Sequence, residues 1–272
     1  MDPSAPYLHG TSPTEQGRLS LLNQLMNDGA LRELSLRGGE RIVDFGCGLA
    51  QLSRGMARAA GRKLVGIERS AEQLAEAARQ AAVAGEGQLL DLRQGDVTAP
   101  PLRDEEWGAF DVSHARFVLE HVQEPLSVVR QMVRSVRPGG RIVLQDDDHG
   151  MMRCWPEPPG FAALWSAYAR TYDRLGCDPF VGRRLASLLH EAGAQPVRST
   201  LIFFGGCAGE ARFPDLMENM SVLLLGARGP IVEGGLLGAR EFDAAQAALR
   251  AWALRPGVAF WDGIFWAEGV RP

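Results

Sequence analysis

The sequence predicts an α/β fold with a doubly wound, mostly parallel sheet. Short apolar runs alternate along the chain with longer segments in which apolar residues recur at helical spacing, as in successive βα units. The clearest unit starts at Ile42, where an apolar run leads through a glycine turn directly into a helical pattern that begins at Leu52. With 272 residues and 46% hydrophobic content, the chain can bury one large core.

Composition disfavours several classes of partner. The net charge of −4 provides no basic surface for nucleic acid, so no DNA or RNA partner is predicted. The four cysteines contain no C-x-x-C pair, which indicates neither a zinc site nor a disulfide framework. The first residues lack the features of a signal peptide, and no apolar stretch is long enough to cross a bilayer. We therefore expect a cytoplasmic protein without a membrane partner.

The N-terminal segment combines a lead-in with a helix. Residues 1–17 are rich in Pro, Gly, Ser and Thr, and apolar residues from Leu19 to Met26 then recur at helical spacing. The lead-in also holds the aromatic Tyr7 and the imidazole of His9, which a solvated tail does not need. A lid and a disordered tail are both compatible with this composition.

The first βα unit predicts a nucleoside-bearing ligand. Gly46 and Gly48 bracket the turn, where they allow positive φ and close approach of a ligand, and the following helix presents unpaired N–H groups. A third glycine of a dinucleotide motif would fall at Gln51, and a diphosphate would be repelled by Asp44. A cationic ligand with an amino group suits this carboxylate better.

One acid follows each of the first three predicted strands: Asp44, Glu68 and Asp96. Glu68 ends an apolar run about twenty residues after the glycine turn, a position from which a carboxylate can accept both ribose hydroxyls of a nucleoside. Arg69 follows it and would flank the adenine edge. This acid series is the most specific signal in the chain.

Four further strands complete the predicted sheet. The strand at 109–113 precedes a helix that starts at Pro125, and the Pro-Gly-Gly turn leads into a strand at 141–145. The last two strands are expected at 197–204 and 258–267. Helical patterns, one of them rich in aromatic residues, fill the segments between 151 and 255.

The motif around the glycine turn resembles motif I of the class I S-adenosylmethionine (SAM)-dependent methyltransferases, an acid followed by G-x-G-x-G. It departs from that pattern only at Ala50, which replaces the last glycine. The segment Ala115 to His121, A-R-F-V-L-E-H, matches the fourth-strand segment of this family. Residues 7–19 resemble the Y-x-H-G … E-Q-x-R-L segment of a small-molecule group within it. The resemblance implies SAM as cofactor and S-adenosylhomocysteine as product.

The resemblance also implies roles for individual residues. Tyr7 and Arg18 would lie near the methionyl end of SAM, since a guanidinium suits a carboxylate. Asp96 would accept from the adenine amino group, and Val97 would contact the ring. Arg116 would lie at the carboxyl end of the central strand, near the cofactor and the acceptor pocket.

The candidate catalytic residues are His9, His114, Asp146 and His149, in no fixed order. A base is needed only if the acceptor must lose a proton. The three consecutive acids from Asp146 to Asp148 could suggest a metal, but adjacent residues of an extended chain point to alternate sides. No metal site is therefore predicted, and a role as base or as partner of a substrate amine is favoured.

The resemblance implies a Rossmann-like, seven-stranded doubly wound sheet whose last strand is antiparallel, with a helical cap. One folded unit would comprise four segments: an N-terminal lid and helix (1–36), the SAM-binding core (37–150), a helical cap insertion (151–195), and C-terminal strands with inserted cap helices (196–272). The aromatic cap favours a flat, mostly apolar acceptor such as a phenol, quinone, polyketide or indole, methylated on O, N or C.

Two other functions remain open from the sequence. A catalytically silent SAM-binding regulator would keep the cofactor acids. An NAD(P)-dependent oxidoreductase would share Glu68 but would leave Asp44 unexplained. Homodimerisation through the cap is also compatible with the sequence, whichever of these functions holds.

Overall fold

A computed structural model describes residues 12–272 of the chain. Tyr7 and His9, and with them the Y-x-H-G segment, lie outside the described residues. The strands are β1 Ile42–Phe45, β2 Leu64–Glu68, β3 Leu90–Gln94, β4 Phe110–Arg116, β5 Val136–Asp146, β6 Arg153–Trp155, β7 Gln195–Cys207 and β8 Ala259–Val270. The helices are α1 Pro13–Leu34, α2 Gln51–Ala60, α3 Ala71–Val83, α4 Pro125–Ser135, α5 Phe161–Ala169, α6 Leu185–Glu191, α7 Phe213–Gly226, α8 Arg228–Glu233 and α9 Ala239–Ala253.

The strands form one sheet in the order β3-β2-β1-β4-β5-β8-β7, and the short β6 extends the line of β5 along β8. The first five strands are parallel, and β8 pairs antiparallel with both β5 and β7. The predicted fold is therefore confirmed, including the antiparallel last strand. The eighth strand, β6, was not predicted, because three residues next to a proline-rich break carry no detectable periodicity.

Helices cover both faces of the sheet. On one face, α1 and α2 bury residues such as Leu34 and Met56 against Ile42 of β1. On the other face, α4 and α6 pack against neighbouring positions such as Val43, because successive side chains of a strand point to opposite faces. A further cluster, built from α5, α7 and α9, packs against the end of the sheet formed by β6, β7 and β8. None of the helices in the described part of the chain has the length and apolar character needed to span a membrane.

The register of the parallel strands positions the functional edge of the sheet. Asp44 on β1 lies opposite Gly66 on β2 and His114 on β4. Arg116 at the end of β4 lies opposite Gln145 on β5. The carboxyl ends of these strands therefore meet between β1 and β4, where the strand order reverses and open α/β sheets bind their ligands.

An ion pair fastens the loop after β3 to the sheet. Nη1 and Nη2 of Arg93 donate to the carboxylate of Glu106, at 2.6 and 2.7 Å. These hydrogen bonds hold the pKa of Glu106 at about 2, below its ordinary value, although burial acts in the opposite direction. A carboxyl group with a depressed folded-state pKa stabilises the fold above its unfolded pKa and loses that contribution as the pH falls.

We predict that Glu106→Gln lowers the free energy of unfolding by about 2 kcal/mol at pH 7, because it removes a charge-assisted pair. The difference between variant and wild type should shrink as the pH falls from about 5 towards 2. Urea unfolding followed by circular dichroism across this range measures both effects. Glu105→Gln is the control, since the Glu105 carboxylate is 71% exposed and lies 3.9 Å from the guanidinium of Arg103. Equal effects of the two substitutions would contradict the assignment.

Candidate active site

A first cavity opens at the carboxyl ends of β1, β2 and β4. Asp44, Glu68 and Arg116 line it from the ends of these strands, and the loop after β3 adds Asp96 and Val97. Side chains of α1 line it as well. The three acids predicted from the spacing of the strands therefore lie around one cavity.

The glycine turn brings the backbone to the wall of the first cavity. Gly46 and Gly48 have φ angles of 73° and 53°, in the left-handed region that glycine favours. A Cβ on Gly46 would lie 2.4 Å from Cγ2 of Val118, so no larger residue fits without movement. Ala50, at the place of the third glycine of the motif, also has a positive φ, of 52°, and precedes α2 as its N-cap. Alanine tolerates this conformation at a cost of about 1–2 kcal/mol.

Asp44 is part of a buried hydrogen-bonded pair. Its Oδ2 accepts from the Ser53 hydroxyl at 2.5 Å, and its Oδ1 lies 2.8 Å from Nδ1 of His114. Since a carboxylate accepts only, Nδ1 of His114 carries the proton in this contact. Nε2 of His114 is buried without a hydrogen-bond partner among residues 12–272. The sequence had suggested separate roles for the two residues, and the β1–β4 register is what joins them.

The carboxylate of Glu68 is held by backbone groups. Its Oε2 accepts from the Gly48 N–H at 3.1 Å, and its Oε1 accepts from the Ser70 N–H at 2.9 Å. Burial raises the pKa of Glu68, and these two hydrogen bonds partly oppose the shift. Arg69 lines the cavity beside it.

Arg116 places a buried cation at the first cavity. Its Nη2 donates to the side-chain oxygens of Asn23 and Asn27, both on α1. Its Nη1 is buried and has no hydrogen-bond partner in the described region. Burial lowers the pKa of the guanidinium to about 10, and the negative charge of Asp44 opposes that shift. The open donor can therefore accommodate an anionic group of a ligand.

A second cavity adjoins the first and shares with it Leu19, Leu22, Phe117 and His121. Its wall is largely aromatic, formed by Trp165, Tyr168, Tyr172, Phe204 and Phe260. Three acids, Glu120, Asp147 and Asp262, and the imidazole of His149 interrupt this apolar wall. Sequence reasoning considered Asp147 only as one of three consecutive acids and missed Glu120 and Asp262, because no motif connects a turn after β4, a loop after β5 and the first half of β8.

Arg18 lies in the second cavity rather than in the first, where the sequence had suggested it. Its guanidinium pairs with Glu15 through two hydrogen bonds, of 2.8 and 2.6 Å, and Nη1 donates to Asn219 at 3.3 Å. Both side chains are buried. They meet because Glu15 precedes Arg18 by about one turn of α1. The guanidinium is therefore occupied by an internal partner.

The candidate bases lie in three different environments. His114 lines the first cavity and His149 the second. Asp146 is not among the residues that line either cavity, and its Oδ2 accepts from the backbone N–H groups of Val118 and Leu119. Burial raises the pKa of Asp146, and the negative charge of Glu120 raises it further. This carboxylate stabilises the turn after β4, so its predicted catalytic role receives no support from the geometry.

The acids of the second cavity repel one another. Burial raises the pKa of Asp147, and the negative charges of Glu120 and Asp262 add to the shift. Burial also raises the pKa of Asp262, to about 6. The cavity is thus an apolar space with a localised excess of negative charge.

The core that carries the first cavity is similar to a known protein family. Residues 43–144 match the family model described as a methyltransferase domain. This core is therefore similar to a methyltransferase domain. The match confirms the predicted cofactor, SAM, and the oxidoreductase alternative loses its support.

Relatives of the methyltransferase domain include two enzymes of quinone metabolism. The chain is 39% identical to a ubiquinone biosynthesis O-methyltransferase of Ralstonia nicotianae over 38% of the chain and 42% of that protein. It is 26% identical to a demethylmenaquinone methyltransferase of Desulfitobacterium hafniense over 82% of the chain and 90% of that protein. The matches to several other curated relatives cover about half the length of each of those proteins.

The fold is also that of solved methyltransferase structures. A geranyl diphosphate methyltransferase in complex with SAM superimposes with a TM-score of 0.56, covering 94% of this chain and 90% of that chain. The sequence identity is 16%, so this likeness concerns the fold alone.

We predict that Gly46→Ala destabilises the methyltransferase domain by about 1–3 kcal/mol more than Gly61→Ala, because only the former overpacks against Val118. Gly61 is a matched control: its φ of 63° imposes the same left-handed strain, but no atom lies within 4 Å of a Cβ built there. Thermal and urea unfolding of both variants measure the difference. The double variant Gly46→Ala, Val118→Ala should recover part of it, and equal stabilities of the two single variants would contradict the close contact.

Proposed function

We propose that the protein is a SAM-dependent methyltransferase that modifies O, N or C of a small aromatic or heteroaromatic acceptor. The first cavity would hold the cofactor and the second the acceptor. The observation that carries the proposal is the direct contact of the two cavities at Phe117 and His121. A cavity lined by the acids proposed to bind a nucleoside thereby meets an aromatic cavity of the kind that accepts flat apolar ligands.

The contacts of the first cavity support an orientation for SAM. Glu68 would accept from the ribose hydroxyls, and Asp96 and Val97 would flank the adenine. The buried N–H of Arg116 would donate to the methionyl carboxylate, which supplies the anion that this cation lacks. The Asp44–His114 pair would lie beside the methionyl amino group. This orientation directs the sulfonium towards the second cavity.

Most of the catalysis would come from position. The methyl group of SAM is already activated by the positive sulfur, so holding nucleophile, methyl and sulfur in line in a dry cavity supplies much of the rate. The aromatic wall of the second cavity excludes water around such an acceptor. If the acceptor must lose a proton, the candidate bases are His149 in the second cavity, as long as its Nε2 binds no metal, and His114 in the first.

The relatives support the class of acceptor. Two of them are named for quinone biosynthesis, and quinone precursors are flat aromatic molecules. Trp165, Tyr168 and Tyr172 of the aromatic wall lie in the predicted cap insertion (151–195), whereas Phe204 and Phe260 lie on the strands of the C-terminal segment (196–272). We therefore propose that these two segments, together with α1, shape the acceptor site.

Binding measurements with S-adenosylhomocysteine and with adenosine test the two ends of the cofactor site separately. Isothermal titration calorimetry should show S-adenosylhomocysteine binding with a Kd on the order of micromolar. Glu68→Gln should weaken both ligands by about tenfold or more, because both carry the ribose. Arg116→Met should weaken S-adenosylhomocysteine but not adenosine, which has no carboxylate. The control Glu72→Gln, in the exposed first turn of α3, should bind like wild type.

Loss of both ligands in Arg116→Met, with the fold intact by circular dichroism, would contradict the orientation. Failure of the wild type to bind S-adenosylhomocysteine would contradict the cofactor site itself.

A methylation assay with radiolabelled SAM tests the acceptor class. Phenols, quinols and indoles should be methylated in preference to sugar phosphates, because the second cavity has aromatic walls and excess negative charge. Methylation of sugar phosphates alone would contradict the aromatic acceptor. Cofactor binding without turnover on any compound of a broad panel would favour the silent SAM-binding alternative.

A further inference from the structure

Three metal-ligating side chains converge in the second cavity. Glu120 lies in the turn after β4, and Asp147 and His149 lie in the loop after β5. One ligand atom from each of them lies within 4.8 Å of the others. Because β4 and β5 are parallel neighbours, the segments that follow them leave the sheet at the same edge.

Two of these atoms are close together and buried. Oε2 of Glu120 and Nε2 of His149 are 3.2 Å apart, and Oε2 has no hydrogen-bond partner of good geometry among residues 12–272. Glu120 and His149 are 3% and 4% exposed, so water cannot freely compensate for the missing bond. A separation of about 3 Å is that of neighbouring ligands on one ion with bonds of about 2.1 Å. Oδ1 of Asp147 is also buried and lacks a partner in the described region.

The side chains at this point can balance the charge of a cation. Glu120 and Asp147 supply two carboxylates in a low-dielectric cavity, and the nearby Arg18 is already paired with Glu15. Buried charges are costly unless they are paired or coordinate a metal. Two carboxylates and one neutral imidazole would balance a divalent ion.

We propose that Glu120, Asp147 and His149 bind a divalent first-row transition metal ion in the second cavity. A mixed set of one imidazole and two carboxylates suits ions such as Zn²⁺ and Mn²⁺, whereas Mg²⁺ prefers oxygen ligands alone. Three protein ligands leave at least one coordination position open towards the aromatic cavity. An oxygen of the acceptor would occupy it, and this role in orienting the acceptor rests on the proposed function.

The structure shows why the three consecutive acids do not form such a site by themselves. Asp147 lines the second cavity, but Asp146 accepts backbone N–H groups and Asp148 pairs with Arg183 through two hydrogen bonds. Their side chains diverge, as expected for adjacent residues. The other two members of the cluster are His149, two residues further along the same loop, and Glu120, whose proximity to Asp147 no spacing in the sequence reveals.

Metal binding by the full-length protein, without affinity tag and after treatment with a chelator, tests the proposal. After addition of Zn²⁺ or Mn²⁺ and gel filtration, elemental analysis should find about one equivalent per chain. Glu120→Gln, Asp147→Asn and His149→Gln should each weaken binding at least tenfold. Asp148→Asn is the matched control from the same loop and should retain the metal. Circular dichroism verifies that each variant is folded.

Spectroscopy with Co²⁺ provides a second readout that does not depend on affinity. The visible absorption of bound Co²⁺ should change in His149→Gln, because a nitrogen ligand is lost, and should stay unchanged in Asp148→Asn. Wild-type protein that binds no metal, or binds it equally well in all variants, would overturn the proposal. Titration of the same samples with S-adenosylhomocysteine separates the two claims: cofactor binding without metal contradicts only the metal site, and metal without cofactor contradicts only the proposed function.

Discussion

The parallel pairing of β1 with β2 and β4 is the constraint on which the rest of the site depends. It places Asp44, Glu68 and Arg116 at one edge of the sheet and lets the glycine turn after β1 approach the same space. Arg116 is held there by hydrogen bonds to Asn23 and Asn27 of α1. A shift of one residue in any of these pairings would turn the corresponding side chain to the opposite face of the sheet.

Burial of polar groups distinguishes the two cavities. In the first, carboxylates are satisfied by internal donors, as in the hydrogen bonds of Asp44 to Ser53 and of Glu68 to the backbone. In the second, acids lie within an aromatic wall, and burial, with the negative charge of Glu120 adding to it, raises the pKa values of Asp147 and Asp262. The first cavity is therefore preorganised, whereas the acids of the second leave buried oxygens, such as Oε2 of Glu120 and Oδ1 of Asp147, without a hydrogen-bond partner among residues 12–272.

The sequence predicts the parts of this site that follow from strand periodicity and local turn chemistry. The acids at the ends of β1 and β2 and the conformation of Gly46 are of this kind, because each depends on a single βα unit. The pairing of Asp44 with His114 could not be predicted, since it depends on the register between strands that are about seventy residues apart. The position of Arg18 could not be predicted either. Its ion pair with Glu15 directs the guanidinium away from the first cavity, and a sequence does not show which partner a guanidinium takes.

A crystal structure of the protein with S-adenosylhomocysteine tests the central claim most directly, because it locates both ends of the cofactor and its sulfur at once. We expect the ribose on Glu68, the carboxylate on Arg116, and the sulfur at the junction of the two cavities near Phe117 and His121. A sulfur directed away from this junction, or a ligand bound outside the first cavity, would contradict the division of the site into cofactor and acceptor cavities.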